Sequence, residues 1–72
     1  DYSVAYSGGQ VTVRSGETLL RVTVYGTDGR ILASAAPDAC ETSLKLDTPD
    51  NVLIVTSRTA GGKTYTDKLF IR

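Results

Sequence analysis

Residues 20–34 have the sequence LRVTVYGTDGRILAS, and this stretch indicates the fold. Apolar and polar residues alternate in its first part, which is the period-two pattern of a half-buried β-strand. A second apolar run follows Arg30. Between the two runs, Asp28 and Gly29 form a strong β-hairpin signal, because Gly adopts positive φ without steric cost. The stretch therefore predicts two antiparallel strands joined by a tight turn.

The same alternation continues in both directions along the chain, with runs rich in Val, Thr and Tyr between clusters of Gly, Ser, Asp and Pro. We expect strands at residues 2–6, 10–14, 20–24, 30–34, 42–46, 52–55 and 63–71, the last as one strand or two kinked halves. Turns are expected at 15–17 and 47–51, and residues 35–41 fit a loop, either alone or with a short edge segment. Residues 52–55 are continuously apolar, which predicts the most buried, central strand. The predicted core residues are Val4, Val11, Val13, Leu20, Val22, Val24, Ile31, Leu44, Leu46, Val52, Ile54, Leu69 and Ile71.

No segment has a helical pattern, and turn signals recur about every 8–12 residues. This pattern predicts an all-β fold: a small immunoglobulin-like antiparallel β-sandwich of about seven strands. At 72 residues the chain has room for one small core, so we expect residues 1–72 to form a single domain. The Cys and Trp signature of true immunoglobulin domains is absent.

The composition excludes several classes of function. The chain has no His and one Cys, so it lacks the usual general base at neutral pH, an internal disulfide and a Cys-based zinc site. Eight basic and eight acidic residues cancel, which disfavours a nucleic-acid or anionic-membrane surface. We therefore expect no enzymatic activity, no cofactor, no metal, no nucleic acid partner and no small-molecule substrate.

Residues 24–32 have the sequence VYGTDGRIL, which resembles the hairpin motif of the C-terminal sorting domains of the Bacteroidetes type IX (Por) secretion system. Residues 8–13 resemble the opening strand of these domains, and residues 52–56 resemble their central strand. Residues 66–72, TDKLFIR, are similar to their terminal strand. Asp50 and Asn51 stand where the family usually has Gly, and Asn tolerates the left-handed conformation that Gly adopts there.

The resemblance implies a seven-stranded sandwich at the C-terminus of a secreted protein. The type IX translocon would bind it as an export signal, and a sortase-like peptidase would then remove it from its N-terminal cargo domain. The cargo would pass through the periplasm to the outer-membrane surface or the medium. The implied sorting signal comprises Lys68, Leu69, Phe70, Ile71 and Arg72, and the hairpin motif comprises Tyr25, Asp28, Gly29 and Arg30. The chain begins at Asp1 rather than Met, so we expect it to be part of a longer chain, and the resemblance implies that it is the C-terminal domain.

Each of these features also has a structural interpretation. Asp28 and Arg30 are typical of a surface charge pair in a type I′ or bulged hairpin. Lys68 and Arg72 are typical of charges that protect an edge strand from pairing with another chain. Under this interpretation, the alternative function is an immunoglobulin-like spacer or binding module of a surface protein, in contact with a glycan or a neighbouring domain.

Other candidate sites are less specific. The tyrosines at positions 2, 6, 25 and 65 fit either a ligand-binding face or cross-strand packing pairs. Asp47, Asp50 and Asn51 offer fewer oxygens than Ca²⁺ requires and fit a turn. Cys40 has no His to activate it as a nucleophile. The sequence GGKT at residues 61–64 is similar to the end of a P-loop, but it lacks the first Gly and joins two strands.

Overall fold

The computed structural model describes residues 2–46 and 51–70. These residues form six strands and contain no helix: β1 (Tyr2–Ser7), β2 (Gln10–Tyr25), β3 (Ile31–Ala35), β4 (Ala39–Lys45), β5 (Val52–Thr59) and β6 (Thr64–Phe70). All pairs are antiparallel. The predicted all-β, immunoglobulin-like antiparallel sandwich is confirmed, with six strands in the described residues rather than about seven.

The long strand β2 organises the fold, because its two halves have different partners. Residues 10–14 lie between β1 and β4, and these three segments form what we call layer 1. Residues 21–25 lie between β3 and β5, with β6 beyond β5, and these four segments form layer 2. The inward side chains of both layers contribute to one apolar cluster. The chain is therefore a sandwich whose two layers share one strand.

A β-bulge at Leu20 reverses the inward face of β2. Leu19 pairs with Thr59 and Arg21 pairs with Arg58, so one additional residue is inserted in β2. Odd-numbered residues of β2 face inward before the bulge and even-numbered residues after it. The buried apolar residues are Val11, Val13, Leu19, Val22, Val24, Leu44, Leu53 and Val55.

Within the described residues, three tight turns connect neighbouring strands. Gly8 and Gly9 both have positive φ, as a two-residue type I′ turn between β1 and β2 requires. The β2–β3 turn closes with a hydrogen bond from the Gly26 amide to the Arg30 carbonyl at 2.8 Å, and Gly29 has a φ of 87°. The β5–β6 turn repeats this arrangement, with Gly62 at a φ of 88°. Both are bulged hairpins with Gly in the left-handed position.

Three predictions about the elements are wrong. Residues 15–17 are not a turn, since Ser15 still pairs with Tyr2 and β2 continues through them; this removes one predicted strand. Residues 35–41 agree with the predicted alternative of a loop with a short edge segment, because the edge strand β4 begins at Ala39. Residues 52–55 belong to β5, which lies between β2 and β6, but β2 is the central strand of the molecule. Residues 52–55 also alternate in burial instead of being buried on both faces.

The predicted core is correct in part. Leu20 is 44% exposed and Ile31 is 63% exposed, so neither belongs to the core. Val52 and Ile54 are half-buried, while their neighbours Leu53 and Val55 are fully buried. The partly buried residues that pack against the core include Val4, Leu46 and Leu69. Ile71 lies outside the described residues.

Candidate functional site

The cross-strand register brings separate segments of the sequence together on the outer face of layer 2. Tyr25 on β2 pairs with Ile54 on β5, and Ile54 pairs with Lys68 on β6. Two residues further along β5, Val52 pairs with Phe70. These residues alternate with the buried side chains of their strands, so their own side chains face outward. The hairpin segment and the terminal strand are thus neighbours through β5.

Large apolar side chains on this face remain in contact with solvent. Phe70 is 73% exposed, and Ile31, which pairs with Tyr25, is 63% exposed. The Lys68 Nζ atom lies 5.9 Å from the centroid of the Phe70 ring, within the range of a cation–π interaction. We call the group Tyr25, Ile31, Val52, Ile54, Lys68 and Phe70 the outer apolar face.

The outer face of layer 1 has a different chemistry. Arg14 forms an ion pair there with Glu41 at 3.3 Å, and the Thr12 and Ser43 hydroxyl groups are hydrogen-bonded at 3.0 Å. The β1 residues that face outward beside them are Ser and Ala. Exposed apolar clusters on a small domain mark interaction sites more often than scattered apolar residues do. Layer 2 is therefore the layer with a candidate interaction surface.

The hairpin residues Asp28, Gly29 and Arg30 stabilise their own turn. The Arg30 amide donates a hydrogen bond to Asp28 Oδ1 at 3.1 Å, and the Arg30 Nε atom lies 3.3 Å from Asp28 Oδ2. Both side chains are largely exposed, so the pair contributes little to stability. Gly29 supplies the positive φ that the bulged turn requires. Among the motif residues, Tyr25 is the one whose side chain lies on the outer apolar face.

The residues of the implied sorting signal face in different directions. Lys68 and Phe70 face outward, whereas Leu69 pairs with the buried Leu53 and packs against the core. Ile71 and Arg72 lie outside the described residues. A partner that approached the outer face would therefore contact Lys68 and Phe70 but not the Leu69 side chain.

A second group of residues joins the edges of the two layers. The rings of Tyr2 on β1 and Tyr65 on β6 are stacked, with centroids 3.9 Å apart and planes 7° from parallel. The hydroxyl groups of Tyr2 and Ser57 are hydrogen-bonded at 2.7 Å. Burial raises the pKa of Tyr2, and the charge of the nearby Asp67 carboxylate raises this pKa further, whereas the hydrogen bond to Ser57 acts in the opposite direction.

The four tyrosines do not form one exposed ligand-binding face. Tyr2 and Tyr65 pack against each other, Tyr6 packs against the core, and Tyr25 lies on the outer face of layer 2. All four are half-buried. This arrangement contradicts a glycan site built from these tyrosines. The Tyr2–Tyr65 contact was not predicted, because β1 and β6 are not hydrogen-bonded partners and alternation alone does not bring them together.

The remaining candidate residues give no site. Cys40 is exposed, and no group of three or more His, Cys, Asp or Glu residues in the described ranges is arranged to hold a metal ion. Asp47 and Asp50 of the calcium hypothesis lie outside the described residues, and Asn51 is exposed. Residues 61–64 belong to the β5–β6 hairpin and do not open a helix, as a phosphate-binding loop would. Residues 2–46 and 51–70 include no helix that could cross a bilayer.

Comparison with known proteins shows the class of fold. No family model matches the sequence, and no curated protein matches it. Among solved structures, the chain is similar to CopC from Methylosinus trichosporium OB3b, with a TM-score of 0.55 and 12% sequence identity. The match covers 94% of this chain and 88% of that chain. At this identity the similarity shows a shared β-sandwich fold and nothing about activity.

Proposed function

We propose that this chain is a non-catalytic sorting domain that directs a cargo protein through the type IX secretion system to the cell surface. In this proposal the domain lies C-terminal to its cargo, and its partners are the translocon and the sortase-like peptidase. The outer apolar face would be the surface that the translocon contacts.

One observation supports this proposal above the others. Tyr25 of the hairpin motif and Lys68 and Phe70 of the terminal strand are far apart in the sequence but lie on the same exposed face. A folded signal must present its recognised residues together and accessible to the partner. Exposed aromatic and aliphatic side chains beside a cation are typical of recognition surfaces.

The alternative is a spacer or binding module that packs against a neighbouring domain. The same outer apolar face favours it, because covering Ile31 and Phe70 would remove exposed apolar surface from water. The two functions differ in their consequence for export. A sorting domain carries an unrelated protein across the outer membrane, whereas a spacer does not.

The test is a reporter with a signal peptide fused to the N-terminus of this chain and expressed in a type IX-competent bacterium. We expect the reporter at the surface or in the medium. The double substitution Lys68→Ser and Phe70→Ser should retain it in the periplasm, because it removes the two side chains of the implied signal that face outward in the described part of the strand. Lys45→Ser is the matched control, since Lys45 is an exposed lysine at the end of β4 in the other layer.

The outcomes separate the two functions. Periplasmic retention of the unmodified fusion, with the domain folded, would overturn the sorting function and favour the spacer. Export of the double variant at the unmodified level would show that Lys68 and Phe70 are not part of a signal. Circular dichroism of the purified variants establishes that the sheet is intact in each case.

A further inference from the structure

Two arginines lie directly opposite each other at the other end of the outer face of layer 2. Arg21 on β2 is the register partner of Arg58 on β5, and both are exposed. Like charges in this arrangement repel each other and destabilise a sheet. Neither arginine has an acidic ion-pair partner among the described residues, whereas Arg14 and Arg30 each pair with a carboxylate. The positive charge of this pair is therefore not neutralised within the described chain.

The Arg21 side chain is held on the side of β2 that faces away from Arg58. Its Nη1 atom donates a hydrogen bond to Ser34 Oγ on β3 at 3.3 Å, and β3 lies on the opposite side of β2 from β5. This orientation carries the Arg21 guanidinium group away from Arg58, and an open space lies beside the two side chains. The β-bulge at Leu20 lies directly beside this space, and bulges commonly redirect side chains next to binding sites.

The space is an open groove of about 430 Å³. Its lining residues are Leu20, Arg21, Thr56, Ser57, Arg58 and Thr64. Among the described residues no carboxylate lines it, and its polar lining includes the side chains of Arg21 and Arg58 and the hydroxyl-bearing Thr56 and Thr64. Leu20, 44% exposed, forms an apolar wall.

We propose that this groove binds an oxyanion of the phosphate or sulfate class. Guanidinium groups match such oxyanions in geometry as well as in charge. One arginine can satisfy both oxygens of a carboxylate, but a tetrahedral oxyanion presents further oxygens to a second arginine and to the threonine hydroxyl groups. The Leu20 wall fits an organic group attached to the phosphate. A soluble phosphate ester and a lipid phosphate headgroup share this chemistry. The site is independent of the proposed sorting function.

Binding is tested by following the backbone amides by NMR during titration with inorganic phosphate, with sodium chloride at equal ionic strength as the reference salt. We expect saturable shifts at residues 20–21, 56–58 and 64 with phosphate but not with chloride. Arg58→Gln should weaken phosphate binding by about tenfold or more, because a hydrogen-bonded charge is lost. The control Arg14→Gln removes the same charge from layer 1 and should leave phosphate binding unchanged.

Stability gives a second measurement that does not depend on detecting a weak complex. In chloride, Arg58→Gln should raise the melting temperature, because it removes the repulsion from Arg21. Phosphate should raise the melting temperature of the unmodified chain and of Arg14→Gln but not that of Arg58→Gln. Equal effects of phosphate and chloride on the unmodified chain, in both the titration and the melting temperature, would overturn the proposal.

The source of the phosphate is distinguished by co-sedimentation with phosphatidylcholine vesicles, with and without phosphatidic acid. Sedimentation that requires phosphatidic acid and is lost in Arg58→Gln would support the site and assign it to lipid headgroups. Binding to inorganic phosphate without sedimentation would support the site and assign it to soluble phosphate esters. Absence of both interactions would overturn the proposal.

Discussion

At the level of single residues, Tyr2 links the two layers of the sandwich. Its ring stacks on Tyr65 of β6, and its hydroxyl group is hydrogen-bonded to Ser57, whose side chain is 1% exposed. A buried hydroxyl group that loses its partner costs free energy, because water does not replace the lost hydrogen bond. The contact therefore holds β1, an edge strand of layer 1, against layer 2.

The substitution Tyr2→Phe should lower the free energy of unfolding by about 1 kcal/mol, because it removes the hydrogen bond to Ser57 and retains the ring. Tyr6→Phe is the control: Tyr6 is on the same strand and face, and its hydroxyl group has no side-chain hydrogen bond to another described residue. Urea denaturation measures both variants. Equal losses in the two variants would contradict this role of Tyr2.

The substitution Tyr2→Phe should also change how the free energy of unfolding depends on pH in the alkaline range. Burial and Asp67 raise the pKa of Tyr2 above its ordinary value of 10.0, so above that pH the unfolded chain binds fewer protons than the folded chain. The contribution of Tyr2 to the free energy of unfolding therefore falls as the pH rises from 10.0 through the pKa of Tyr2 in the folded chain. Below pH 10.0 this contribution does not depend on pH. In urea denaturation above pH 10.0, the unmodified chain should lose more stability than Tyr2→Phe.

At the level of elements, period-two alternation predicts the strands, and Gly positions predict the hairpin turns. The hairpin at residues 26–30 and the turn at Gly62 were predictable because a positive φ at Gly is a local requirement. The length of β2 was not predictable in this way. Ser15 and Gly16 are typical turn residues, but pairing with β1 extends the strand through this region. Tertiary pairing thus overrides local propensity here.

The bulge at Leu20 explains why the predicted core was wrong at this point. Simple alternation back from Val22 and Val24 places Leu20 inside, but the inserted residue puts Leu19 there instead. The face of Tyr25, Lys68 and Phe70 could not be derived from the sequence for a related reason. This shared face depends on the register of β2 and of β6 against β5, which the alternation within a single strand does not determine.

Two neighbouring leucines provide a direct test of which residues of β2 face inward at the bulge. Leu19→Ala should lower the free energy of unfolding by about 2–5 kcal/mol, because a fully buried side chain is lost and a cavity remains. Leu20→Ala should cost less than about 1 kcal/mol, because its side chain is 44% exposed. Chemical denaturation of the two variants measures the difference. A larger loss for Leu20→Ala than for Leu19→Ala would contradict the position of the bulge.

At the level of the whole molecule, the outer face of layer 2 carries two different chemistries. Lys68 beside the apolar residues and Thr64 beside the arginine groove lie on the same strand, four residues apart. At ~3.3 Å per residue this places the two ends of the face about 13 Å apart. A ligand of the groove therefore need not cover the outer apolar face, so the two proposed sites can be tested separately.

The shared strand also predicts how the molecule unfolds. β2 contributes Val11 and Val13 to layer 1 and Val22 and Val24 to layer 2, and all four belong to one buried cluster. Neither layer can lose β2 without exposing the inward side chains of the other. We therefore expect one cooperative transition, without a stable half-folded state.

Native-state hydrogen exchange measures this coupling. The most protected amides of β2 in residues 10–14 and 21–25 should exchange with the same free energy, equal to that of global unfolding. Leu44→Ala in layer 1 and Leu53→Ala in layer 2 should each lower protection in both segments by the same amount, because both side chains belong to the one cluster. If Leu44→Ala lowered protection in residues 10–14 alone, the layers would unfold separately and the shared strand would not couple them.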